Sequence, residues 1–319
     1  MKIGIAGAAG YVAGELIRIL INHPEVEQMY LQSESQKGEE IYKVHQDLFH
    51  TGLVFEDINF NDIDVLFLCT GHGHAAKFLS ENTIPKNVKI IDLGNDFRLA
   101  KDAGDFLYGL PELSREKIRS ANYIANPGCF ATCIELGMLP LAANNKLPDI
   151  ISIFGVTGST GAGQKPTHDT HFSNRNNNLS NYKVFSHQHE DEINETLKAA
   201  GATNNYDLAF VPSRGAFARG ILVNTIIRTE LSLEELITMY KEYYKNHPFV
   251  CVSDAPIYMK QVVNTNYCYI HIDKKDNKVV LTSVIDNLLK GASGQAVQNM
   301  NLMFGLKENL GINLKANYF

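Results

Sequence analysis

The first twenty residues constrain the fold most. Lys2–Ala6 is a short apolar run, Gly7-Ala8-Ala9-Gly10 is a turn, and Gly10–Asn22 carries apolar residues at helical spacing through Val12, Leu16, Ile19 and Leu20. Strand, glycine turn and helix in this order open a parallel βαβ sheet. Strand-like runs follow at Gln28–Gln32, Asp64–Cys69, Val88–Leu93 and Tyr123–Ala125, with helical or turn segments between them. The alternation predicts an α/β chain whose N-terminal domain is a Rossmann-type parallel sheet covered on both faces.

The turn itself, G-x-x-G-x-x-A, brings backbone N–H groups to a pyrophosphate at a helix N-terminus. Gly7, Ala9, Gly10, Tyr11 and Val12 are therefore candidate dinucleotide contacts; the alternative is a glycine turn without a ligand. An acid about 20 residues on would bind the ribose diol of NAD. Glu34 stands near that spacing, inside Ser33-Glu34-Ser35-Gln36-Lys37. Ser33 and Ser35 with Lys37 suit the 2′-phosphate of NADP equally well, and position does not choose between them.

After about residue 145 the pattern changes. Ile150–Val156, Leu208–Val211, Ile221–Arg228, Tyr267–Ile272 and Lys278–Ile285 read as strands, the last two joined by a hairpin loop over Lys274-Lys275-Asp276-Asn277. Glu190–Ala200 reads as a helix stopped by Gly201. Ser232-Leu233-Glu234-Glu235 is a capping box that opens a helix to about Lys245. Strands joined by hairpins predict a mixed or antiparallel sheet, so a second, α+β domain. Gly291–Leu306 is a final helix, with Gln295 in its first turn as a further candidate cofactor contact. In the polar stretch Thr157–Ser180, Ser159-Thr160-Gly161-Ala162-Gly163 offers hydroxyls and N–H groups to a phosphate, or is a flexible loop.

Asn126-Pro127-Gly128-Cys129 carries the most chemistry. Pro127 breaks the strand Tyr123–Ala125, Gly128 turns the chain, and Cys129 begins an apolar helical segment. A thiol at a helix N-terminus has its thiolate stabilised by the dipole and the unpaired N–H groups, which makes it a nucleophile near neutral pH. The plainer reading is a packed cysteine, assigned to Cys69, Cys133, Cys251 and Cys268. A thiol and a nicotinamide site in one chain suggest reduction of an activated acyl group through a thioester. An acyl phosphate fits, because phosphate leaves readily.

Composition narrows the alternatives. The chain of 319 residues is 45% hydrophobic and 20% charged, an ordinary globular balance, and long enough for two domains. Lys and Arg number 29 against 35 Asp and Glu, so the broad positive field of a nucleic-acid-binding protein is missing. No apolar run reaches the ~18 residues that span a bilayer, and the N-terminus lacks a secretory h-region. Five cysteines at irregular spacing are no disulfide framework and point to a reducing cytoplasm.

Read together, the motifs resemble the N-acetyl-γ-glutamyl-phosphate reductases. They are Gly7-Ala8-Ala9-Gly10-Tyr11, Asp96-Phe97-Arg98-Leu99, Tyr108-Gly109-Leu110-Pro111-Glu112 and Asn126-Pro127-Gly128-Cys129. Gly158–Gly163, His187-Gln188-His189 with Glu192, Arg219-Gly220-Ile221-Leu222 and Lys290–Asn301 follow in the same order. The related aspartate-semialdehyde dehydrogenases share the fold and the thiol but not the YGLPE and HxHxxE segments. The resemblance implies NADPH-dependent reduction of an N-acyl-γ-glutamyl phosphate to the semialdehyde and inorganic phosphate, in arginine biosynthesis. It implies a homo-oligomer, a dimer or tetramer, assembled through the second domain. Cys129 would be the nucleophile and His187 the acid/base. His189 and Glu192 would orient site and substrate. Arg98, Ser159 and Arg219 are candidate substrate contacts, with Arg214 a competitor to Arg219, and Gly161 a cofactor contact. A dinucleotide-binding domain over 1–128 and 291–319 would enclose a catalytic and oligomerisation domain over 129–290.

The chain departs from that pattern at three places. Phe130-Ala131 stands where the family often has Tyr-Pro, Thr70-Gly71-His72-Gly73 where it has Leu-Pro-His-Gly, and Lys37-Gly38-Glu39 where it has Ala-Gly-Lys. The last weakens the case for NADP over NAD. The pairs His72/His74, His168/His171 and His187/His189 suggest zinc at first sight, but no CxxC accompanies them and no metal is expected. Rival readings are an aspartate-semialdehyde dehydrogenase and a non-catalytic dinucleotide-binding module.

Overall fold

The computed structural model describes residues 1–71 and 73–318. The elements run β1 (Lys2–Ala6), α1 (Tyr11–Leu20), β2 (Gln28–Gln32), β3 (Val65–Leu68), α2 (Ala75–Glu81), β4 (Lys89–Asp92), β5 (Leu107–Tyr108), α3 (Pro111–Ser120) and β6 (Tyr123–Ala125). They continue α4 (Cys129–Ala143), β7 (Ile150–Thr157), α5 (Phe172–Arg175), β8 (Ser180–Asn181), α6 (His189–Ala199), β9 (Asp207–Arg214) and β10 (Ile221–Arg228). Last come α7 (Leu233–Tyr244), β11 (Val250–Ser253), β12 (Cys268–Lys275), β13 (Lys278–Ile285) and α8 (Gly294–Met303). The chain packs as two units: Met1–Pro127 with Ala292–Asn313, and Gly128–Gly291 with the described residues from Leu314 onward.

The first unit holds a six-stranded sheet in the order β2-β1-β3-β4-β6-β5. Every pairing in it is parallel. β3 is buried along its whole length, as an inner strand covered on both faces must be. The strand order reverses at β1, so the carboxyl ends of β1, β2 and β3 open a ligand crevice beside Gly7. α8 returns to this sheet and packs on α3. Its Asn299 side chain donates to the carbonyl of Gly109 at 2.8 Å, and Ser293 Oγ donates to that of Val12 at 2.7 Å.

The second unit holds a seven-stranded mixed sheet, β11-β12-β13-β10-β7-β9-β8. On β7, Ile151, Ile153, Gly155 and Thr157 point into the core while Ile150 and Phe154 are exposed. α4 lies over β10 and β13 and is buried from Phe130 to Ala142. Pro140 interrupts it: with no N–H to give, it leaves the carbonyl of Leu136 without its helical donor. Tyr244 Oη donates to that carbonyl, and Tyr240 Oη to the carbonyl of Gly137 at 2.6 Å. Replacing Tyr244 by phenylalanine strands a buried acceptor, and a loss of about 1–3 kcal/mol is expected in urea unfolding.

The sequence expectations differ from the structure mostly at edges. The final helix is shorter, because Leu289–Ser293 forms a π-helical turn ahead of α8. The β12–β13 loop is narrower, since the strands extend to Lys275 and from Lys278 and Asp276 turns at φ 54. β9 runs past Val211 through Pro212, because its edge partner β8 pairs only with Ser213 and Arg214. β5 and β8 are two residues each and β11 four, too short for a period to mark them. Cys251 is not packed: it lies exposed on β11, whereas Cys133 and Cys268 are buried.

Candidate active site

In the first unit, the glycine turn is a backbone cradle. Gly7 sits at φ 77, and a Cβ there would fall 2.5 Å from the carbonyl oxygen of Cys69, so only glycine fits. Gly10 caps α1 without any side-chain hydrogen bond, leaving the first-turn N–H groups to a ligand. Ala8 N–H donates to the carbonyl of Gln32 at 2.9 Å, joining the turn to the end of β2. His45, whose ring fills the space above Gly14, donates from Nε2 to the carbonyl of Ala8 at 2.8 Å. No sequence signal marked His45. Gln32 Oε1 and Thr70 Oγ1 are buried with no hydrogen-bond partner, beside the same crevice. An open helix N-terminus, a steric demand for glycine and two orphaned polar atoms fit a dinucleotide.

The other candidate cofactor residues are placed as follows. Ser33 is buried at the end of β2, Ser35 and Glu34 are exposed, and Lys37 is ion-paired with Asp57 on the surface. Tyr11 is exposed and Val12 half-buried on the first turn of α1. Gln295 is fully buried on α8. Arg98 is buried, donating from Nε to the carbonyl of Asn126 at 2.9 Å and from Nη2 to that of Leu93 at 3.3 Å. Asp96 accepts instead from the N–H groups of Gly73 and Ala76, capping α2. His72 lies outside the described residues.

In the second unit, α4 begins at Cys129 as expected. Its cap, Gly128, is extended at φ −71 and ψ 151 and has no side chain of its own to cap the helix. The buried carboxylate of Glu192 accepts from Gly128 N–H at 2.6 Å, fixing the turn that aims the thiol. Gly291 lies behind: a Cβ there would come 2.7 Å from Cys129 Cβ. Gly291→Ala should therefore displace the thiol and lower turnover by about 10²-fold while circular dichroism stays native.

His187 and His189 come together in the same unit, ring centroids 4.6 Å apart. His187 is buried among Phe130, Tyr182 and Phe210. Gly155 makes room for that cluster, since a Cβ would meet the Phe130 ring at 2.5 Å. Burial, and then the charges of Lys183 and Arg214, push the His187 pKa down to about 4, so the ring is neutral at physiological pH. His189 N–H donates to His187 Nδ1 at 3.2 Å. Nδ1 therefore carries the lone pair, and the proton sits on Nε2. Burial also raises the Tyr182 pKa, and Cys129 raises it further. The thiol thus lies within electrostatic reach of the same cluster. Cys133, one turn later, is pushed up to about 12 by burial and is inert.

Ser159 and Gly161 lie on a short turn, Ser159–Ala162, pinned by Thr160 Oγ1 donating to the carbonyl of Ala218 at 2.6 Å. Arg219 forms a two-pronged ion pair with buried Asp286, at 3.1 and 3.2 Å. His168 and His171 are exposed. Among the described residues, no group of three His, Cys, Asp or Glu side chains is placed to hold a metal ion.

Two family models match the chain. One, described as semialdehyde dehydrogenase, NAD binding domain, covers residues 2–121; the other, semialdehyde dehydrogenase, dimerisation domain, covers 129–287. An N-acetyl-gamma-glutamyl-phosphate reductase of Phocaeicola vulgatus is 52% identical over 321 residues, with 100% of both chains covered. The chain belongs to the N-acetyl-gamma-glutamyl-phosphate reductase family. A reductase of the same name from Christiangramia forsetii is 50% identical, again with 100% of both chains covered. The fold is also that of solved semialdehyde dehydrogenases. Aspartate semialdehyde dehydrogenase II of Vibrio cholerae, complexed with ASA, aligns at a TM-score of 0.74 and 17% identity, over 95% of this chain and 98% of that one. The Candida albicans enzyme, solved with NADP, aligns at 0.72 and 15%, over 97% and 99%.

Membership in the reductase family makes the chain an NAD(P)-binding oxidoreductase that acts on a small molecule, and the second family model supports oligomerisation. The match to that second model begins at Cys129, the residue that opens α4. No helix among the described residues is long and apolar enough to cross a membrane.

Proposed function

We propose that the protein reduces an N-acyl-γ-glutamyl phosphate to the N-acyl-glutamate semialdehyde and inorganic phosphate, with NADPH as reductant, in arginine biosynthesis. One observation carries the reading: Cys129 stands at a glycine-capped helix N-terminus in the same unit as a neutral histidine whose tautomer is fixed by a backbone N–H. The Cys129 thiolate attacks the acyl carbon, the C–O bond to phosphate breaks, and a thioester remains on Sγ. When bound, the dinucleotide supplies the hydride that reduces this thioester. His187 Nε2–H donates a hydrogen bond to the oxyanion of the resulting thiohemiacetal and stabilises it until the C–S bond breaks to release aldehyde and thiolate. Glu192 positions the thiol through Gly128.

The remaining assignments follow the same reading. Gly7, Ala9, Gly10, Tyr11 and Val12 hold the pyrophosphate, Ser33 and Ser35 the adenosine ribose and its 2′-phosphate, and Gly161 and Gln295 the nicotinamide half. Arg98, Ser159, His189 and Arg219 serve the substrate, Arg219 through its ion pair with Asp286. The first unit is the dinucleotide-binding domain and the second the catalytic and oligomerisation domain. Its sheet leaves Ile150, Phe154 and Ile226 exposed at 64%, 36% and 49%, a face suited to a homodimer or to a dimer of dimers. The enzyme works in the cytoplasm. The test is a panel in the oxidative direction: N-acetyl- and N-succinyl-glutamate semialdehyde and aspartate semialdehyde, with phosphate and either NADP or NAD. Preference for an N-acylglutamate semialdehyde with NADP supports the reading; preference for aspartate semialdehyde overturns it.

A further inference from the structure

Two neighbouring arginines, one of them within electrostatic reach of His187, meet no acid among the described residues. Arg175, on α5, is only 6% exposed. Its Nη1 donates to the backbone carbonyl of Arg214 at 2.8 Å and its Nη2 to Ser180 Oγ at 3.1 Å, both neutral oxygens. Its Nε is buried with no partner. Arg214, paired with Ser180 in the β8–β9 ladder, stacks its guanidinium 4.5 Å over the Tyr182 ring, and its Nε is likewise buried without a partner. Among the described residues neither guanidinium meets a carboxylate. Lys183 adds a third positive charge, and the fields of Lys183 and Arg214 both reach His187. Glu190 accepts from the His187 backbone N–H at 3.1 Å.

Arg175 is buried and Arg214 half-buried, and burying a cation with no counter-ion is costly, so such a pair is built for an anion that arrives with a ligand. A planar guanidinium fork suits a planar carboxylate, held in two parallel hydrogen bonds. We propose that Arg175 and Arg214 form a subsite for a carboxylate of the substrate, a specificity device separate from the thiol chemistry. The proposal rests on the reductase reading, whose substrate bears an α-carboxylate and, with a dicarboxylic acyl group, a second one.

The test measures KM and kcat for Arg214→Leu and for Arg175→Lys, which keeps the charge and loses the fork. Substrates are N-acetyl- and N-succinyl-glutamate semialdehyde with phosphate. For Arg214→Leu the KM for semialdehyde should rise about 10- to 100-fold, with kcat within about threefold and the KM for phosphate unchanged. Arg175→Lys should give a smaller rise of the same kind. A rise with both substrates assigns the subsite to the α-carboxylate; a rise with the succinyl form alone assigns it to the acyl group. A rise in the KM for phosphate alone, or wild-type constants in both variants, overturns the proposal. A wild-type enzyme inert on both semialdehydes overturns the reductase reading and this subsite with it.

Discussion

Cys129→Ser is expected to abolish phosphate-dependent aldehyde oxidation, by on the order of 10⁴-fold or more, while dinucleotide binding stays intact. Serine is nearly isosteric, so the cap at Gly128 and its bond to Glu192 should survive. What is lost is the thiolate. A helix N-terminus stabilises a thiolate near neutral pH, but not an alkoxide, whose parent alcohol is far less acidic. The other thiols do not substitute. Cys133 is buried against Ser283, held at 3.4 and 3.5 Å from its oxygens. Burial raises the Cys69 pKa as well. Cys251, exposed on β11, is the one to watch in labelling, and site-resolved mass spectrometry separates it from Cys129. Dinucleotide titration, followed by fluorescence, checks that binding survives.

His187→Asn is expected to slow turnover by about 10²–10⁴-fold. Asparagine matches the ring only as far as Nδ1, so no N–H reaches the place of Nε2 and the oxyanion loses its donor. The pH profile separates this role from a packing role. The wild-type His187 is neutral above about pH 4, because burial disfavours its charged form. The acid limb assigned to it should lie near that value, well below the ordinary histidine range, and should vanish in the variant. Stability carries the same signature. Between the ordinary value of 6.5 and about 4, the unfolded chain binds the proton more readily than the folded one. His187 therefore makes stability fall as pH drops through that window. In His187→Asn this part of the pH dependence should flatten. Loss of activity only in His189→Asn would move this role to the second histidine.

Much of the frame is legible in local sequence. β1, the glycine turn and α1 follow from an apolar run, two glycines and a helical period within twenty residues. Gly7 at φ 77 is the kind of position only glycine fills. The start of α4 at Cys129 is legible because Pro127 and Gly128 stop one element before an apolar helix begins. What local sequence does not carry is long-range pairing. His45 supports Ala8 from 37 residues away, and Tyr244 serves a carbonyl that Pro140 orphaned over a hundred residues earlier. Arg175 sits in a polar stretch that reads as solvated, yet the return of β9 beside β8 buries it next to Arg214. Cys251 shows the converse: on the edge strand β11 it is exposed although its neighbours Val250 and Val252 are apolar.

The central claim is a covalent acyl intermediate on Cys129. Its most direct test mixes the enzyme with an N-acyl-γ-glutamyl phosphate in the absence of reductant, then maps the adduct by peptide mass spectrometry. The account predicts one acyl group, on the Cys129 peptide, labile to hydroxylamine and discharged as semialdehyde when NADPH is added. An unmodified Cys129 in enzyme that turns over the same substrate, or an adduct on another cysteine that NADPH discharges, would contradict it.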